Sequence, residues 1–150
     1  MKELPSLIEG LTVLRFQTLN DCKNLVCLPS TICSLKLLEC LDLFGCSNCD
    51  NFPENLGNLK GLKKLYLIGT TINELPSSIE DLTALTFLTC NDCKNLVCLP
   101  STIVCSKLLE CLDLSRYSNC EILLEKLGNF NGLKFFLFEW NKYERVAIIN

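Results

Sequence analysis

The stretch Leu35-Lys36-Leu37-Leu38-Glu39-Cys40-Leu41-Asp42-Leu43-Phe44-Gly45-Cys46, followed by Cys49, Phe52-Pro53 and Leu56, decides the fold. Its apolar residues recur at steps of three, three and two, then close on a small turn residue and a proline. The Leu41-Asp42-Leu43 core has period two, which predicts a short strand with one face buried. The same frame continues as Leu59, Leu62, Leu65, Leu67, Thr70, Leu75-Pro76 and Ile79. It precedes the quoted stretch as Leu11, Leu14, Gln17, Leu19, Cys22, Leu25, Leu28-Pro29 and Ile32.

The five prolines, Pro5, Pro29, Pro53, Pro76 and Pro100, are spaced by 24, 24, 23 and 24 residues, each after a Leu or Phe. Proline fixes φ and removes a backbone donor, so one at constant phase marks a turn repeated once per unit. A period in the twenties predicts a solenoid, in which each unit buries its apolar face against its neighbours. The fourth unit keeps Leu82, Leu85, Leu88, Cys90, Cys93, Leu96, Leu99-Pro100 and Ile103. A fifth keeps Leu109, Leu112, Leu114, Cys120, Leu123 and Leu127, with Tyr117 in the turn slot and Leu124 in the proline slot. The sixth keeps Phe130, Leu133, Phe136, Phe138 and Asn141, then departs from the pattern.

These units predict one domain over residues 1–150, about six units of 23–24 residues with a degenerate last one. The expected class is α/β: parallel strands on a concave face, turns and short 3₁₀ or helical segments on a convex one. A longer period is superimposed: Asn20–Ile32 recurs unchanged at Asn91–Ile103, 71 residues on, which is three units. Nothing between the copies has linker composition.

Composition bounds the function. A mean hydropathy of +0.28 is positive, yet apolar residues are interrupted every few positions, far short of the ~18 in a row of a spanning helix. No apolar leader segment follows Met1, so neither a membrane nor a secretory role is expected. Fourteen basic against seventeen acidic residues argue against nucleic acid as partner. Lys60, Lys63 and Lys64 read as solvated surface.

Twelve cysteines would suggest disulfides in a secreted chain. Here the frame absorbs many of them: Cys22, Cys46 and Cys93 share the turn slot, Cys49 and Cys120 replace leucines, and Cys90 replaces an inward strand leucine. Buried free cysteine behaves as a small hydrophobe. With no Asn-x-Ser/Thr sequon present, the expected setting is reducing: cytoplasmic or nuclear.

The chain has no histidine, which removes Ser-His-Asp and Cys-His nucleophiles and His-containing zinc sites. Cys46-x-x-Cys49 and Cys90-x-x-Cys93 lie two units apart, about 10 Å by strand spacing, too far for one tetrahedral zinc. Asp42 and Asp113 lie three units apart, about 14 Å, too far for an acid/base carboxylate pair. The glycines form no phosphate loop. No catalytic set, metal site or cofactor is expected, and the chain is not read as an enzyme.

The frame resembles the leucine-rich repeat family over essentially the whole chain. Glu74–Ile79 (ELPSSI), Asp21–Ile32 (DCKNLVCLPSTI), Leu38–Asn48 (LECLDLFGCSN) and Phe52–Leu67 (FPENLGNLKGLKKLYL) are similar to repeats of plant intracellular disease-resistance proteins of the TIR-NB-LRR class. The resemblance implies a leucine-rich repeat horseshoe. It also implies a module that recognises a pathogen effector or a guarded host protein and restrains the receptor's own nucleotide-binding domain. No P-loop or TIR motif occurs in these residues, so nucleotide chemistry does not transfer to them. A leucine-rich repeat adaptor of another intracellular class, such as a Ras-pathway or ubiquitin-ligase scaffold, and a partial gene product without independent function are the alternatives.

Residues flanking the inward strand positions are expected to line the concave, protein-binding face. They are Phe16, Thr18, Asp42, Phe44, Lys64, Tyr66, Ile68, Phe87, Thr89, Asp113, Leu137 and Glu139, with Asn20, Cys40, Asn91, Cys111, Ser115 and Phe135 beside them. Aromatics ringed by polar groups suit a protein partner better than a small molecule. Gln17 at an inward position, an N-terminus inside a unit and the apolar Val146-Ala147-Ile148-Ile149 all point to poorly capped ends and association in isolation.

Overall fold

The computed structural model describes residues 4, 5, 8, 10–105, 108–116, 132–141 and 144–148. The quoted stretch forms a three-residue strand, Cys40–Asp42 (β2), between Phe16–Thr18 (β1) and Lys64–Tyr66 (β3). Phe87–Thr89 (β4), Cys111–Asp113 (β5) and Phe135–Asn141 (β6) extend the same sheet. All five of these junctions are parallel and in strict register, so Gln17, Leu41, Leu65, Leu88, Leu112 and Phe136 form one inward column.

The core lies directly behind that column. Leu35, Leu38, Leu41, Leu43, Leu59, Leu62 and Leu65 are fully buried, and Leu82, Leu85, Leu88, Leu109, Leu112 and Leu114 repeat the arrangement further along. Gln17 escapes the cost of a buried amide because it stays half-exposed at the sheet's first strand. Opposite the sheet, 3₁₀ turns span Ser30–Ser34, Leu56–Asn58, Ser77–Asp81 and Ser101–Cys105.

Each proline carbonyl starts such a turn. Pro5, Pro29, Pro53, Pro76 and Pro100 accept from the N–H three residues on, at 3.0–3.1 Å. Pro29 and Pro76 have φ near −65° with ψ 148°, the extended entry that the ring imposes. Ile32, Ile79 and Ile103 close the core beneath. At Gly57 a Cβ would overlap the Ser78 carbonyl of the next unit, so the turns stack at a distance that only glycine permits there.

A left-handed residue follows every described short strand: Asp21, Gly45, Gly69, Asp92 and Arg116, with φ between 55° and 70°. Its N–H reaches the next unit, Asp21 to the Phe44 carbonyl at 2.7 Å and Gly45 to the Ile68 carbonyl at 2.9 Å. The turn slot just after it also looks between units. Cys46 Sγ donates to the Leu19 carbonyl at 3.0 Å and Cys93 Sγ to the Leu67 carbonyl at 2.9 Å, each across a unit boundary, while Thr70 Oγ1 donates within its own unit, to the Leu67 carbonyl at 2.8 Å. The cysteines are therefore thiol donors as well as filler.

The C-terminal end departs from the sequence reading. Instead of a sixth short strand that drifts off pattern, β6 runs for seven residues, and Glu144–Ile148 (β7) pairs with it antiparallel, with an irregularity between Glu139 and Asn141. The left-handed column explains the change: its sixth position is Trp140, a residue type that pays heavily for positive φ, so the backbone continues extended. The apolar tail Val146-Ala147-Ile148 is thus a strand covering the edge of β6. The expected unit positions Tyr117, Cys120, Leu123, Leu124, Leu127 and Phe130 lie outside the described residues. Among those described, no helix is long and apolar enough to cross a membrane.

Candidate protein-binding face

The strict register turns the outward strand residues into rows across the sheet. One row reads Phe16, Cys40, Lys64, Phe87, Cys111, Phe135; the other reads Thr18, Asp42, Tyr66, Thr89, Asp113, Leu137. A side chain in either row follows the concave surface because period-two alternation sends its neighbours into the core.

The aromatics are the exposed anchors. Phe16 is 66% exposed, Phe44 44% and Phe135 48%, high values for phenylalanine in a folded chain. Tyr66 and Phe87 are half-buried and pack on each other, ring centroids 5.0 Å apart and tilted by 39°. Burial pushes the Tyr66 phenol up from its ordinary value, helped by Cys40, Asp42 and Cys111. Lys64 and Thr18 are exposed, and Ile68 and Leu137 are half-buried.

The polar residues are locally fixed. Asp42 Oδ1 accepts from the Phe44 N–H at 3.0 Å, and Asp113 Oδ1 accepts from the Ser115 N–H at 2.9 Å and the Ser115 hydroxyl at 2.7 Å. The Asn20 amide faces both carboxylate oxygens of Asp42 at 3.1 Å, an arrangement its nitrogen satisfies as donor once the amide is flipped. One of the expected site residues needs revision. Thr89 is buried, lying low between Tyr66 and Asp113 with its hydroxyl accepting from the Asn91 N–H, so it supports the face without offering itself to a partner. Glu139 is placed in β6 opposite Arg145, and its side chain lies outside the described set.

Beside the rows runs a charge ladder that the repeat reading missed. Arg15 pairs with Glu39, Lys63 pairs with the same Glu39 at 2.8 Å, and Lys134 pairs with Glu110 at 2.7 Å. The hydrogen bond from Lys63, with that from Arg15, holds the Glu39 carboxyl below its ordinary value. The signal was in the sequence: Arg15, Glu39 and Lys63, then Glu110 and Lys134, sit just before strands at the repeat spacing, with Thr86 between the two runs.

The cysteine pairs set aside as zinc or redox candidates are interior. Cys46, Cys49, Cys90 and Cys93 are all buried, and burial pushes Cys49 up to about 12. Cys33, beneath its 3₁₀ turn, is pushed up to about 11 by the same cause. Among the described residues, no three His, Cys, Asp or Glu side chains are grouped to hold a metal.

A family described as "Leucine-rich repeat region" matches residues 42–148, more than half of the chain. The chain belongs to the leucine-rich repeat family. Two curated relatives, both named Disease resistance protein RPS6 of Arabidopsis thaliana, are 39% identical over 130 residues. That is 87% of this chain and 11% of each relative, so the match spans a small part of a much longer protein. Several solved structures superpose well on the chain. A protein of Leptospira interrogans gives a TM-score of 0.66 at 26% identity, covering 91% of this chain and 40% of that one. An internalin of Listeria monocytogenes gives 0.63 at 17%, covering 91% and 44%. A plant peptide hormone receptor in complex with its ligand RGF2 gives 0.60 at 20%, covering 89% and 25%. The repeats thus resemble those of a plant disease-resistance protein on a fold shared more widely.

Proposed function

We propose that this leucine-rich repeat chain is the protein-binding module of a plant intracellular immune receptor of the TIR-NB-LRR class. Its partner is a pathogen effector, a guarded host protein or the receptor's own nucleotide-binding domain, which it restrains. It acts by binding, without catalysis of its own. The observation that carries this reading is the concave face itself: exposed Phe16, Phe44 and Phe135 around the Tyr66–Phe87 pair, with hydrogen-bonded Asp42 and Asp113 among them. Aromatic anchors in a polar frame are the composition of interface hot spots. The likeness to a resistance protein supports the biological setting, and the buried free thiols support a reducing one.

The test is quantitative capture of a partner from plant extract, followed by affinity measurement with variants. Tyr66→Ala and Phe44→Ala are expected to cost about 2 kcal/mol or more of binding while leaving circular dichroism and melting nearly unchanged. Lys36→Ala, on the opposite side, is the control. Its Nζ reaches the Cys33 and Asn58 carbonyls, both at 3.4 Å. A larger loss from Lys36→Ala than from the concave variants would move the site off this face.

A further inference from the structure

We infer that the centre of the concave face is built for an extended protein segment with two cationic residues four positions apart and an apolar residue midway between them. This rests on the concave-face reading above and names the chemistry of its partner.

The 71-residue duplication reaches the binding rows. Asp42 and Asp113 are one position in two copies, 113 − 42 = 71, and each carboxylate accepts from the backbone N–H two residues on, Asp113 also from the Ser115 hydroxyl. Both are partly exposed. They sit on β2 and β5, three strand spacings apart, or about 14 Å. A carboxylate whose geometry is already fixed meets a guanidinium or ammonium group at little ordering cost.

Along the row between the two carboxylates lie half-buried Tyr66 and buried Thr89, and the Tyr66 ring packs on Phe87 of the neighbouring row. An extended chain rises about 3.3–3.4 Å per residue and places i, i+2 and i+4 on one face. Four residues therefore span about 13–14 Å, the carboxylate separation, and the middle side chain falls against Tyr66. Lys64 lies in the neighbouring row beside Phe87, so cations are favoured along the Asp42–Asp113 row and disfavoured off it.

The probes are two fluorescent, end-capped peptides of equal composition, Gly-Arg-Ser-Leu-Ser-Arg-Gly and Gly-Arg-Leu-Arg-Ser-Ser-Gly, titrated by anisotropy at low salt. The first is expected to bind at least tenfold more tightly. Asp42→Asn and Asp113→Asn, which keep the acceptor for the turn N–H, should each erase that preference. Equal affinity for the two peptides, no binding of either at millimolar concentration, or a preference that survives both substitutions would overturn the inference. If either variant fails to fold, the wild-type comparison alone decides. Loss of the native partner in Tyr66→Ala but not in Asp113→Asn would refute this chemistry and leave the concave site standing.

Discussion

Asn20–Ile32 and Asn91–Ile103 are the same thirteen residues placed in two surroundings. Their backbones agree: Asp21 and Asp92 take φ 55° and 57°, and Pro29 and Pro100 each open a 3₁₀ turn. Leu25 and Leu96 are equally buried, and Thr31 and Thr102 share a buried hydroxyl with no partner among the described residues. The turn-slot cysteine differs. Cys93 is buried, donating to the Leu67 carbonyl with Thr70 beside it at 3.4 Å, whereas Cys22 is half-exposed. Conformation is local to the segment, while burial of the turn slot depends on a unit stacked before it.

The leucines give the largest effect. Leu25→Ala and Leu96→Ala should each lose about 2–5 kcal/mol in urea unfolding, by similar amounts, since the two sites are equally enclosed. A much smaller loss at Leu25 would show the first unit fraying independently of the rest.

The left-handed slot comes next. Gly69→Ala, where nothing lies closer than 4.0 Å to the new Cβ, should cost about 1–2 kcal/mol for positive φ alone. Gly45→Ala should cost more, because its Cβ would overlap Asp21 Oδ1 of the first copy. Equal melting of the two variants would show that this contact relaxes freely.

Thr31→Val and Thr102→Val should each raise stability, by about 0.5–1 kcal/mol, because an unpaired buried hydroxyl is replaced by a methyl group of the same shape. Destabilisation in only one copy would mean that its hydroxyl has acquired a partner through its surroundings.

Thiol labelling gives the finest comparison and leaves stability untouched. Brief iodoacetamide treatment at pH 8, read by peptide mass spectrometry, should modify Cys22 well ahead of Cys93. Cys33 and Cys49 should also lag, since they are buried and their thiols, raised to about 11 and 12, hold almost no thiolate at that pH. Parity between Cys22 and Cys93 would break the claim that stacking sets burial in this slot.

Much of the fold was legible because the repeat states it several times over. Proline phase, leucine spacing and the period-two strand each predict the same turn, core and sheet. The strand rows followed from alternation, which puts Phe16 and Thr18, and Lys64 and Tyr66, on one side of the sheet. The burial of Thr89 did not follow, because nothing in its own unit reveals that Tyr66 and Asp113 flank it. The charge ladder was overlooked because its partners are 24 residues apart, beyond any local pattern.

The sequence by itself determined the unit: where the chain turns, which residues face inward, and that each unit needs neighbours. These are properties of φ restriction and side-chain periodicity, which act within a few residues. Only the tertiary structure decided what depends on contact between units. It turned separate strand residues into rows, stacked Tyr66 on Phe87, buried one cysteine of a duplicated pair and left the other half-exposed, and folded the last apolar stretch back onto β6. Those outcomes depend on packing across 23–24 residue steps, where distance along the chain says nothing until register brings the partners together.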